Sequence, residues 1–174
     1  MRLQALTTIL AATPFLLLPG LTGALADRYS KRTIVIGTKV WEVGVMCVGL
    51  AAFYLGAPAL ILVLLFMMFM QSAFFGPAKY GILPEMMPEQ RLSWANGYVG
   101  LFTFIAIILG MNGAGWLSDQ VKAEVLSVYH VSALLIVLSC LGLVTSFGVT
   151  PVPAASPGRP IPLNPWSGLA RYYR

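Results

Sequence analysis

Charge is scarce in this sequence. Of its 174 residues 10% are charged, and six of them are acidic. A soluble domain needs more polar surface than that to face water. Histidine occurs once and cysteine twice. His130 has no partner at ligand spacing and reads as structural. Cys47 and Cys140 each sit inside an apolar run, as small lipid- or core-facing residues with no disulfide or metal role. No cofactor is expected. The net charge is +5, yet no basic patch interleaved with aromatics stands out, so no nucleic-acid partner is expected. The basic residues gather instead at the ends of apolar runs, where membrane topology uses them.

What the sequence has is hydrophobicity. Apolar residues make up 58% of the chain, and the mean hydropathy is +0.81. Those values fit a polytopic membrane protein. A spanning helix needs about 20 mostly apolar residues. Residues 3–26, 33–55, 59–75, 96–117 and 125–147 qualify or nearly do, and the third run can extend past Pro77. All are expected to be helices, because lipid leaves no partner for an unpaired backbone group and the alternation of a barrel is lacking. The first run has a rival reading. Arg2, an apolar stretch and Ala24-Leu25-Ala26 before Asp27 imitate a cleaved signal peptide. The run exceeds the usual apolar core of about 7–15 residues, and another span follows it, which favours a membrane helix.

Charge asymmetry sets the orientation. Arg28, Lys31 and Arg32 follow the first span, Lys79 and Arg91 the third, and Arg159, Arg171 and Arg174 the fifth. The other side carries Arg2 and Lys122. The positive-inside rule puts the N-terminus outside and the C-terminus in the cytoplasm. In the fourth span Ala106, Gly110 and Ala114 recur every four residues, a small face that predicts close approach of a neighbouring helix. Residues 151–174 form a separate cytoplasmic region after the membrane domain of residues 1–150. Six prolines make its first part a stiff linker. Asn164-Pro165 then opens either a short interfacial helix, with Trp166, Leu169 and Tyr173 on one face, or a disordered tail.

Several residues stand out as candidates for function. Lys39 and Glu42 lie inside the second span at i and i+3, a spacing that permits an ion pair, either as a cavity pair or as a structural one. Gln71 is a weaker candidate of the same kind. The stretch from Phe74 to Asn96 is at once apolar and charged, with Pro77, Pro84 and Pro88 interrupting it. Lys79 there, flanked by Phe74, Phe75 and Tyr80, can pair with a phosphate or snorkel to lipid head groups. Pro77 is expected to bend or unwind the end of the third span. Asn96 can bind substrate or cap the fourth span.

The run Gly23-Ala24-Leu25-Ala26-Asp27-Arg28-Tyr29-Ser30-Lys31-Arg32 resembles the G-x-L-x-D-R-x-x-[KR]-[KR] loop signature of the major facilitator superfamily. Gly23 would allow close helix approach, and Arg28 would reach an acidic partner on a neighbouring helix. The central run Gly76-Pro77-Ala78-Lys79-Tyr80-Gly81-Ile82-Leu83-Pro84-Glu85, followed by Ala95-Asn96-Gly97, resembles the bacterial lysophospholipid transporter branch of that superfamily. Some members of this branch are fused to an acyltransferase.

The resemblance implies a rocker-switch carrier that moves lysophospholipids across the bacterial inner membrane for re-acylation. Substrate contacts would come from Lys79, Tyr80, Glu42, Lys39 and Asn96. Gating contacts would come from Gly23, Asp27, Arg28 and Lys31. The fold expected is an all-α membrane protein with five transmembrane helices, an incomplete N-terminal six-helix half of a major facilitator fold. These would be helices two to six, with helix one and the second half outside this chain. Expected partners are the lysophospholipid, membrane lipids, the missing second half and an acyltransferase. The chain itself is not expected to be an enzyme. Two alternatives stay open: a proton-coupled exporter of drugs or metabolites from the same superfamily, and a non-transporting membrane bundle.

Overall fold

In the computed structural model, the described residues are 2–158, with side chains from residue 7 onward. The short helix expected after Asn164 lies outside them. Seven helices follow one another: α1 Arg2–Leu17, α2 Pro19–Arg28, α3 Lys31–Tyr54, α4 Pro58–Gly81, α5 Leu83–Met86, α6 Glu89–Lys122 and α7 Val128–Ser146. No strand occurs among the described residues. Helices α3, α6 and α7 are each long and apolar enough to cross a membrane, as are α4 and α5 taken together. Helices α1 and α2, bent by 51° at their junction, add a fifth span when the pair is counted as one.

The first break is chemical. Pro19 has no N–H to donate, and its ring would clash with the carbonyl four residues earlier if the helix ran on straight. Leu18 therefore turns the chain, and Pro19 starts α2. Of the bend or unwinding expected at Pro77, the unwinding does not occur. Helix α4 runs through Pro77 to Gly81, and the chain changes helix only at Ile82. The fourth span also begins earlier than the apolar pattern indicates. Pro88 precedes its first turn, so Asn96 lies in the second turn and caps nothing.

Helix α3 is the centre of the bundle, packed on α4 and α7, while α1 and α2 pack on α4. Val45, Ala52 and Leu64 form the buried core, with Leu60, Ile61 and Met68 against it. The interfaces use small residues, as packing in lipid does. Ala52 and Ala78 are fully buried. On α7 the buried residues are Ser132, Ser139 and Ser146, seven residues apart. Each hydroxyl donates to a carbonyl of its own helix, so none of the three is left bare at the interface.

Helix α6 stands apart. Its 34 residues make a rod ~51 Å long. Its chief packing partner is α5, and of its residues Ala95 alone is buried. The small face expected to receive a neighbour is open: a side chain at Gly110, Gly113 or Gly115 would meet nothing within 4 Å. Between this face and α7 runs an apolar cleft of about 510 Å³.

Two helix ends share one geometry. After α3, Gly56 donates to Phe53 and Ala57 to Ala52; after α6, Glu124 donates to Val121 and Val125 to Gln120. These paired bonds satisfy the last carbonyls and need a left-handed residue. Gly56 and Glu124 both have φ of 58°. Glycine adopts that conformation freely, whereas glutamate is strained there. Replacing Glu124 with Gly should stabilise the chain by about 0.5 kcal/mol, the strain relief minus the greater flexibility of unfolded glycine. A thermal melt in detergent with no upward shift would contradict this.

Beyond α7 the chain folds back over the connection between α2 and α3. Ser30 Oγ donates to the Val152 carbonyl at 2.8 Å, and the Ser156 amide donates to the Asp27 carbonyl at 2.8 Å. Arg32 donates to the Phe147 carbonyl at 3.0 Å. The Val152 side chain is buried. Ser30 stands at the N-cap of α3, yet its hydroxyl serves this distant contact and not its own helix.

Candidate functional site

The lysine of the central run sits in the last turn of α4. Lys79 is half-buried, and its ammonium donates to Thr103 Oγ1 of α6 at 2.5 Å. It lies 5.4 Å from the Tyr80 ring centre and 6.0 Å from that of Phe75. A cleft of about 540 Å³ opens between α4 and α6, lined by Lys79, Tyr98, Val99, Phe102, Thr103 and Ala106, with Ile107. Its walls are mostly apolar or aromatic, with one cation at the rim. Tyr98 packs against Trp94 at 4.3 Å between ring centres, with the planes tilted by 45°, extending the aromatic wall along α6. A site of this kind can hold an anion beside a hydrocarbon chain. Tyr80 stands beside the cleft and half exposed, not in its lining. Asn96 is exposed on α6 and also outside the lining.

A second polar cluster lies deeper in the bundle. Lys39 pairs with Glu42 at 2.7 Å, and Gln71 of α4 donates to Glu42 at 3.2 Å. Ser72 donates to Gln71 Oε1 at 3.3 Å. The Lys39 stem runs past Gly142 of α7, where an added Cβ would lie 3.6 Å from Nζ. The pair thus sits where α3 meets α4 and α7. It does not line the cleft at Lys79. Phe75 stands between the two lysines, 5.2 Å from Lys39 Nζ and 6.0 Å from Lys79 Nζ.

The third cluster is at the loop between α2 and α3. Lys31 is buried and forms an ion pair with Glu85 of α5. Gly81 makes room for it: a Cβ there would lie 2.9 Å from Lys31 Cε. Glu85 thus serves Lys31, and the Arg28 guanidinium lies over the Tyr29 ring at 5.8 Å. Gly23 is inside α2, and a Cβ there would meet nothing within 4 Å among the described residues. Asp27 ends α2 half-buried, and its carbonyl accepts from Ser156.

Sequence reasoning missed Thr103 and gave Glu85 no role. Both partners lie far along the chain from the lysine they meet, 24 and 54 residues. The one local signal for Thr103 was a hydroxyl inside an apolar run. His130, expected to be structural, closes the N-terminus of α7: its Nδ1 lies 2.8 Å from Ser127 Oγ. Among the described residues no cluster of potential metal ligands occurs.

Apolar spans, small-residue interfaces and a charged loop after the first of them define a multi-pass membrane protein. The chain belongs to the Major Facilitator Superfamily, whose sequence profile it matches over residues 2–172. Within that family it is similar to the lysophospholipid transporters. It is 29% identical to that of Klebsiella pneumoniae over 162 residues, 90% of this chain and 36% of that protein. It is 34% identical to that of Photorhabdus laumondii over 119 residues, 67% of this chain and 28% of that protein. It is also 27% identical to macrolide efflux protein A of Streptococcus pyogenes over 142 residues, 80% of this chain and 33% of that protein. The chain spans about a third of the length of these curated relatives.

Proposed function

We propose that this chain forms the first-lobe portion of a bacterial inner-membrane carrier that moves lysophospholipids between leaflets. It would work with a second helical lobe and supply its product to an acyltransferase. The observation that carries this reading is Lys79. An ammonium on the rim of an apolar, aromatic cleft matches a ligand with one phosphate and one acyl chain. The phosphate pairs with Lys79, and the first methylenes lie along Tyr98 and Phe102. The Lys31–Glu85 pair acts as the cytoplasmic latch, with the loop from Asp27 to Arg32 facing the cytoplasm. The lysophospholipid transporters among the relatives support the same substrate class.

The test is Lys79→Ala in the carrier that contains these residues, read as uptake of lysophosphatidylethanolamine into spheroplasts. Loss of a charge-assisted phosphate contact predicts at least a tenfold fall. Unchanged uptake removes Lys79 from the mechanism. A second reading, drug extrusion, is favoured by the efflux relatives. It predicts a proton-dependent macrolide gradient and no lipid movement in the same cells.

A further inference from the structure

We propose that Thr103 is the positioning residue of the head-group site: its hydroxyl aims the Lys79 ammonium into the α4–α6 cleft and holds it there for an incoming phosphate. This rests on the reading of Lys79 as the head-group contact.

The argument starts from the hydroxyl. Thr103 lies in the apolar middle of α6, where a bare hydroxyl is unfavourable. It donates its proton to the Val99 carbonyl one turn back, at 2.5 Å. That proton is then committed, and the oxygen can meet Lys79 only as an acceptor. The direction of the bond is fixed: the ammonium donates and the hydroxyl receives. One of the three ammonium N–H groups is used, which leaves two for a ligand.

The position of Thr103 gives this bond a second consequence. Helix α6 packs on little besides α5. The Lys79–Thr103 bond ties α6 to α4 across the cleft itself. A phosphate oxygen is a strong acceptor and takes the two remaining N–H groups, while the third stays on Thr103. The head group then binds beside the tie between α4 and α6 without breaking it. Thr103 holds the lysine in place before and during binding, and the affinity for phosphate depends on that preorganisation.

The experiment uses the full chain in nanodiscs, titrated with lysophosphatidylethanolamine and followed by tryptophan fluorescence. Trp94, whose ring packs against the cleft residue Tyr98, provides the signal. A monoacylglycerol with the same tail serves as the phosphate-free probe. Thr103→Val should weaken lysophosphatidylethanolamine binding about tenfold, the scale of one charge-assisted hydrogen bond. Monoacylglycerol binding should stay unchanged. Thr103→Ser, which keeps the hydroxyl, should stay within about twofold of wild type. Thr103→Ala, which lacks the acceptor and adds no bulk, should follow the valine variant. Equal weakening of both lipids would reduce Thr103 to a packing residue and overturn the proposal. So would wild-type binding by Thr103→Val where Lys79→Ala has lost it, leaving the head-group reading intact. Wild-type binding by both variants would overturn the head-group reading itself.

Discussion

Glu42→Ala is expected to destabilise the chain by about 3 kcal/mol, the scale of breaking a buried ion pair. Lys39 and Glu42 are about one-fifth exposed, and around a spanning helix that exposure is largely to lipid. Without Glu42 the ammonium keeps the Phe75 ring at 5.2 Å, a contact worth about 1–2 kcal/mol at best. Snorkelling helps little, because Lys39 lies roughly 12 Å from the start of α3. Gln71 would also lose its acceptor. The double variant Lys39→Met, Glu42→Leu removes both charges and should return to within ~1 kcal/mol of wild type. Unfolding by SDS titration measures all three. A single variant as stable as wild type, or a double variant no better than the single, would refute the pair as a structural element. If the double variant is stable yet uptake is lost, the pair belongs to the translocation path.

Glu85→Ala should shift the latch loop towards its released state by about 30-fold, or ~2 kcal/mol. Lys31 is buried, and its stem passes over Gly81 with no space to withdraw in that direction. Glu85 is the carboxylate that neutralises it. Removing Glu85 leaves an ammonium whose simplest relief is to carry the start of α3 towards water. Glu85→Lys should act more strongly, since two ammonium groups would then repel at close range. The reaction rate of a cysteine at position 29 with a water-soluble maleimide reads the shift. If Glu85→Ala leaves that rate unchanged, the pair does not hold the loop.

The spans were legible because lipid imposes length and apolarity on any helix that crosses it. The i, i+3 spacing of Lys39 and Glu42 was legible for a similar reason, since one helix fixes that distance. Helix breaks were less legible. Pro19 and Pro77 look alike in the sequence, yet one ends a helix and the other is carried inside α4. The residues beside them do not tell the two apart. Asn96 was read as a helix start because apolarity begins there, whereas Pro88 sets the true start. Contacts between distant residues were hidden for the same reason. Nothing near Lys31 names Glu85, and nothing near Lys79 names Thr103.

The returning segment after α7 changes what its prolines mean. A stiff linker that hung free would isolate the two ends it joins. This one is fastened at Ser30, Asp27 and Arg32, the residues that open α3 and close α2. Any pull along it acts as leverage on the start of α3 and the end of α2, with proline providing the rigidity that keeps force from being absorbed on the way.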